Sequence, residues 1–389
     1  MIIFRRYILL AMACLATSSV YAKVVLTASN PTICQRHEVI AWDAAQIWER
    51  LGVAEGSTLL VTDNFGQTVD SQVTHDKKLL LDVALLPYGK AEFRVETGTK
   101  PSSKQYVSGQ LYKYRLDDIA WENDITAYRV YGPALQQSGE QAFGIDIWLK
   151  STTEQDVEKR YRLERLYNIS YHTDHGTGLD CYNVGPSLGC GAPAIILDGD
   201  SILMPYCYRN FKILDNGPLR FTLQLTYPDV KVNGQTVTEH RIISLDKGAW
   251  FNRMEVWYDG FRKPMDVAGG IVVHTQNKDD LTFGKNFIAY DDPTDSPDRH
   301  NFQIYTALVF PYDNIKTKFI KDTRHLQQGI FGNAVGVRSA VPQANTRYIG
   351  LAHHGMGAAR PTTVSGACRS NGLPTCCINP SKWIYNEAL

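Results

Sequence analysis

The chain has 389 residues, and its 40 Lys and Arg are matched by 40 Asp and Glu, giving a formal net charge of zero at pH 7. That balance excludes the clustered cationic footprint needed to grip a nucleic-acid backbone, so any anionic ligand must be met by a few placed cations. The length suits one large domain with a smaller partner.

Residues 1–22 read as a secretory signal, because Arg5 and Arg6 precede an apolar run from Ile8 to Leu15 and the stretch closes on Val20-Tyr21-Ala22. The run is too short to span a bilayer, and no later segment approaches about 18 uninterrupted apolar residues, so no membrane span is expected. The expectation is export to the periplasm with Lys23 as the first mature residue; secretion, or a lipid anchor at the cell surface through Cys14, is the alternative. Export puts the seven remaining cysteines in an oxidising compartment where disulfides can form.

From Val24 to about Glu96, short alternating runs such as VVLTA, STLLVTD and AEFRVE are punctuated by turn residues. They predict a small β-sandwich domain over residues 23–100, with residues 43–51 as a connecting crossover. Residues 97–109, TGTKPSSKQYVSG, lack apolar periodicity and read as a linker. Strand-length runs fill residues 110–352, and Asn233-Gly234 supplies a hairpin turn. Only residues 153–166 have helical spacing, so the fold class is all-β, a large sandwich of two packed sheets. The tail over residues 353–389 shows no alternation and carries three cysteines, and is expected to be atypical rather than a closing strand.

Reactive side chains concentrate in three segments: WENDITAYRVYGP (121–133), YHTDHGTGLDCYNVGPSLGCGAP (171–193) and YCYRNFKILDNGPLR (206–220). The second, with five glycines and two prolines, must be a shaped loop, and it is read as one wall of the active site. Aromatics beside carboxylates, amides and cations are how sugars are held, by ring stacking and planar hydrogen bonding, and Arg offers a fork to an acidic sugar's carboxylate. Trp121, Glu122, Asn123, Arg129, Tyr131, Arg209 and Arg220 are therefore the expected substrate-binding residues. His172 and His175 stand three apart, but such a pair outside a helix is a weak metal signal, and no metal or cofactor is expected. Cys181 and Cys190 are expected to close the loop as a disulfide. No G-x-S-x-G elbow occurs.

The blocks DDIAWENDITAYRVYGPAL, YHTDHGTGLDCYNVGPSLGCGAPAI and YCYRNFKILDNGPLRFTLQLTY, with FGKNFIAYDDPTDSP, resemble the secreted Bacteroidetes family called domain of unknown function 4861, encoded in polysaccharide-utilisation loci. The resemblance runs from about Tyr112 to Tyr348. It implies a galactose-mutarotase-like β-supersandwich and an activity similar to that of an ulvan-oligosaccharide dehydratase, and it carries over no catalytic residues. After Arg347-Tyr348 the chain departs from the family's Gly- and Trp-rich closing strand, which puts the C-terminal sheet edge in question.

For removal of water across C4 and C5 of a terminal uronic acid, a base must take the C5 proton, an acid must protonate the leaving 4-hydroxyl, and cations must steady the carboxylate. The residues suggest His172 or His175 as base, Tyr208 or the other histidine as acid, and Arg209 with Asn123 as carboxylate clamp. The expected partner is an acidic oligosaccharide. The rival classes are a non-catalytic sugar-binding protein and a hydrolase, lyase or epimerase on the same scaffold.

Overall fold

The computed structural model describes residues 23–296, 298–299, 302–311, 315–341 and 348–359. The expected signal segment and residues 360–389, with Cys368, Cys376 and Cys377, lie outside them.

The N-terminal runs form two three-stranded antiparallel sheets, one of Val24–Ser29, Lys90–Thr97 and Leu59–Thr62, the other of Arg36–Asp43, Lys78–Leu85 and Ser71–Val73. Val24, Leu26 and Ala28 alternate inward against Leu79, Leu81, Phe93 and Val95, so period two buries one face of each sheet. The crossover at residues 43–51 is helix α1 (Ala44–Leu51). Asp43 caps its start by accepting from the Gln46 amide at 3.2 Å, and Gly52 ends it in the left-handed region. Its inward residues Ala44, Ile47, Trp48 and Leu51 repeat at the helical period.

The remaining strands build two large layers. The back layer is a nine-stranded sheet; the front layer combines a four-stranded sheet, residues 108–149, with a five-stranded one. A parallel bridge from Ile145 to Gly189 and a bond from the Val272 amide to the Gly189 carbonyl at 2.8 Å join the two front sheets. Trp121, Tyr128, Ile147, Phe221, Leu223 and Met254 meet between the four-stranded sheet and the back layer, and Ile271, Val273, Ile288 and Leu308 meet between the five-stranded sheet and that layer. This is the two-sheet all-β architecture that the alternation implied. The Asn233-Gly234 turn holds both residues at positive φ, 47° and 75°, as the short hairpin requires.

Helix α2 (Pro133–Ser138) is a short link, and helix α3 (Val157–Tyr167) is the one read at residues 153–166, starting four residues later. The tail reading needs correction. Residues 353–359 belong to the strand Tyr348–Ala359, which pairs on one side with Phe251–Asp259 and on the other with Phe302–Val309, in the interior of the back sheet. A strand with neighbours on both edges is held by its backbone, so LAHHGMGAA needs no period-two pattern to belong there.

Candidate active site

The four-stranded front sheet is where alternation sorts the chemistry. Along Asp118–Glu122, Thr126–Val130 and Asp146–Leu149, the residues Ile119, Trp121, Tyr128, Val130, Ile147 and Leu149 face the back layer. Asp118, Glu122, Arg129, Asp146, Trp148 and the adjoining Lys150 therefore fall on the outer face, yet all are buried, under helix α3 and the loop that follows it. DDIAWENDITAYRV reads as one polar-aromatic block, but period two sends its members to opposite sides of a sheet.

Arg129 is the hub of the outer face. One terminal nitrogen lies 2.5 Å from Asp146 and 2.8 Å from Asp180, and the other is 3.6 Å from Asp118. The Tyr161, Tyr171 and Tyr131 hydroxyls accept longer bonds of 3.4–3.5 Å, and the Trp148 ring stands 5.1 Å from the guanidinium. Three carboxylates facing one buried Arg, with Arg115 at the margin, exceed the positive charge available. Burial pushes the Asp118 carboxyl up to about 6 against the pull of Arg129 and Arg115. Burial, then the Asp146 charge, raise Asp180 well above the usual carboxylate range. Both Asp118 oxygens, Asp180 Oδ1 and Arg129 Nε have no hydrogen-bond partner among the described residues.

The mouth of this cluster is formed by Arg115, Tyr171 and His172. Arg115 Nε donates to the Tyr171 hydroxyl at 2.7 Å. The next two residues, Leu116 and Asp117, both sit at positive φ, 56° and 63°, a turn that costs a branched residue energy and re-aims the chain into Asp118. His172 Nδ1 lies 3.0 Å from the Asp180 carbonyl oxygen, and its side chain is 47% exposed. A carbonyl only accepts, so Nδ1 carries the proton and the lone pair resides on Nε2. His175 is exposed and uses Nε2 toward the Ser170 carbonyl at 3.0 Å, which fixes the opposite tautomer. Asp174 between them accepts from the Gly176 and Gly178 amides, both at 2.9 Å, and sets the turn.

Other expected site residues serve the fold. Glu122 accepts from the Asp156 and Val157 amides at 2.8–3.0 Å and pairs with Lys150 at 2.5 Å, so it caps helix α3. Trp121 is fully buried between Tyr128 and Phe221, with Nε1 donating to Asn252 at 2.9 Å, and its faces are closed to a sugar. Asn123 uses both ends of its amide, donating to the Asp246 and Ala249 carbonyls and accepting from the Ile125 and Thr126 amides. It ties a hairpin to the back layer and has no group left for a carboxylate. Tyr131 is buried against Arg129. Tyr208 is buried and donates to the Asp117 carbonyl at 2.6 Å, behind the mouth rather than in it, and burial pushes its hydroxyl well up. Arg209 pairs with Asp229 at 3.4 Å, and Arg220 forks onto Asp246 at 2.5 and 2.8 Å. The first two polar segments thus meet through Arg129, Asp180 and His172, whereas Arg209 and Arg220 have partners elsewhere.

The expected disulfide is absent: Cys181 and Cys190 are free, buried thiols, whose pKa values burial drives up. The loop is closed instead by the backbone, with Cys190 donating to Ile145 at 2.8 Å and the Cys181 carbonyl accepting from Asp295 at 2.8 Å. Among the described residues no group of three or more His, Cys, Asp or Glu could hold a metal ion. No helix among them is long and apolar enough to cross a membrane.

Sequence reasoning missed Arg115, Asp118, Asp146 and Tyr171. For Asp146 a signal existed, since Asp146 inside the apolar run FGIDIWLK and Arg129 inside ITAYRV are opposite charges that needed partners once buried.

An all-β chain of two large layers with a charged cluster under its outer face is the class that fold and site define. The chain belongs to the family described as domain of unknown function (DUF4861), whose profile matches residues 28–353. A relative from Formosa agariphila, described as uncharacterized protein P7, is 31% identical over 245 residues, which is 60% of this chain and 60% of the relative. Two solved structures from Enterococcus faecalis are similar at a TM-score of 0.45. One is an alpha-mannosidase, 9% identical, with 86% of this chain and 43% of that chain covered. The other is a protein in glycosyl hydrolase family 38, 10% identical, with 86% and 44% covered. The chain thus spans less than half the length of either.

Proposed function

We propose that the protein processes acidic saccharides, as a dehydratase that removes water from a terminal uronic acid to leave a 4,5-unsaturated sugar. The observation that carries this reading is the mouth itself: a half-exposed His172 with its lone pair held on Nε2, beside Arg115 and above a buried anionic cluster. In this reading Arg115 replaces Arg209 and Asn123 as the group that steadies the substrate carboxylate, since Tyr171 holds its Nε and its terminal nitrogens make no hydrogen bond among the described residues. His172 Nε2 takes the C5 proton, the electron pair forms the C4–C5 double bond, and the 4-hydroxyl leaves as water on a proton from Nδ1 of His175 in its imidazolium form, whose Nε2 stays on the Ser170 carbonyl. Negative charge growing on the carboxylate is met by Arg115, the term that lowers the barrier.

The test is turnover of uronate-terminated oligosaccharides, followed by the ultraviolet absorbance of the conjugated product and by chain length. His172→Ala should lower kcat by at least about 10²-fold, the usual worth of a proton-transfer group. Arg115→Ala should raise KM and lower kcat together. Shortened products would point to a hydrolase or lyase, and binding without turnover to a sugar-binding protein. Full activity in both variants removes the assignment.

A further inference from the structure

The outer face of the front layer carries a second feature at its five-stranded end. A groove of about 950 Å³ runs there over an apolar floor of Leu188, Ile202, Met204 and Ile320. That volume is of the order that holds a multi-ring ligand. One wall presents Phe143 and Tyr206, whose rings stand 4.4 Å apart at 42°, and Tyr206 remains 49% exposed. An aromatic that packs against another ring and leaves half its surface to solvent is a platform waiting for a flat, partly apolar face.

Another part of the lining is the turn 321–325. Asp322 accepts from the Arg324 and His325 amides at 2.7 and 3.1 Å and from His325 Nδ1 at 2.7 Å, so its charge is consumed within its own turn. Arg324 is thereby left 77% exposed, with Asp322 no nearer than 4.0 Å. Lys321, next along the strand from Ile320 of the floor, faces the other way and sets its ammonium 5.6 Å from the Phe331 ring. The carboxylates elsewhere in the lining, Asp200 and Asp229, are engaged by Lys318 and Arg209. The carboxylates of the lining are therefore all engaged, and Arg324 is the exposed cation that the turn presents.

We propose that this groove binds an anionic oligosaccharide, its ring faces stacked on Phe143 and Tyr206 and an acidic group met by Arg324. It deepens the proposed function, giving a longer acidic chain a second anchorage on the same face as His172. Stacking and cation recognition are separable here, because the two sets of side chains come from distant parts of the sequence.

The test is affinity electrophoresis of the full chain in gels holding polygalacturonate, a sulfated galactan without uronate, or a neutral galactomannan. At least one anionic polymer should retard the protein, the neutral one should not, and the pattern tells carboxylate from sulfate. Tyr206→Ala and Arg324→Ala should each weaken retardation by about tenfold, in keeping with a lost stacking or charge-assisted contact. Both residues are exposed, so thermal melts should be unchanged. His172→Ala should lower turnover by at least about 10²-fold yet leave retardation intact, which separates failure of the groove from failure of the catalytic reading. No retardation by either anionic polymer, equal retardation by the neutral one, or full retardation of Tyr206→Ala overturns the proposal.

Discussion

Arg129 lies fully buried among three carboxylates, and the excess of negative charge around it decides how the site responds to pH. Asp118 is the sharpest case, because burial pushes its carboxyl from an ordinary 3.8 up to about 6. A carboxyl whose folded value lies above its unfolded one holds its proton more tightly in the native chain, so ionising it costs stability as pH rises from about 4 through about 6. A window of that width is worth on the order of 3 kcal/mol. Asp118→Asn should therefore flatten the dependence of unfolding free energy on pH between about 4 and 7, measured by urea denaturation at a series of pH values. A variant that keeps the native slope contradicts the account. Little of this was legible in the sequence: Arg129 and His172 stood out as reactive types in unusual stretches, but Arg115 sits in an ordinary KYR. What makes Arg115 part of the site is a turn with two residues at positive φ, which no periodicity announces.

Helix α3 depends on a residue far from it in sequence. Asp156 precedes its first turn but makes no side-chain cap, and its Oδ2 accepts instead from Arg160 and Thr177, both at 2.5 Å. The free amides at the helix start are taken by Glu122, from the neighbouring strand, which also neutralises Lys150. Glu122→Gln should cost about 3 kcal/mol, because it leaves a buried ammonium without its counter-charge. Hydrogen exchange along Val157–Tyr167 should accelerate with it, as the helix loses part of its anchorage to the sheet. Replacing both partners, Glu122→Gln with Lys150→Met, should recover part of the loss, and additive losses would argue against the pairing. At this scale the sequence was a good guide wherever local chemistry settles the outcome, as in the Asn233-Gly234 hairpin and the helix itself. It failed where the partner is remote. The strand Tyr348–Ala359 owes its place to two flanking strands, and Cys181 and Cys190 are packed as apolar groups in the core rather than joined.

The largest scale concerns how the N-terminal sheets sit on the layered body. Their apolar cluster shares no member with the clusters of the two large layers. The contact between them is made largely by polar groups. Gln72 accepts from the Leu219 and Arg220 amides at 2.7 and 2.8 Å and donates to the Arg220 carbonyl at 3.0 Å, so one side chain satisfies the entry to a back-layer strand. His75 adds two bonds of 2.7 Å to Asp215, through its amide and Nδ1, and Lys247 pairs with Asp82. These groups are wholly or partly buried, so removing Gln72 strands backbone donors at about 1–3 kcal/mol each where no water can replace it. Gln72→Ala should therefore shift the urea midpoint down by an amount equivalent to about 2–4 kcal/mol, more than an exposed Gln would cost. Because the contact lies on the back layer and His172 on the outer face of the front layer, kcat should stay near the native value at temperatures where the variant is folded. A midpoint that does not move would mean that the two units are held together by something other than these bonds, whereas a fall in kcat without a fall in stability would mean that the back layer reaches the active site.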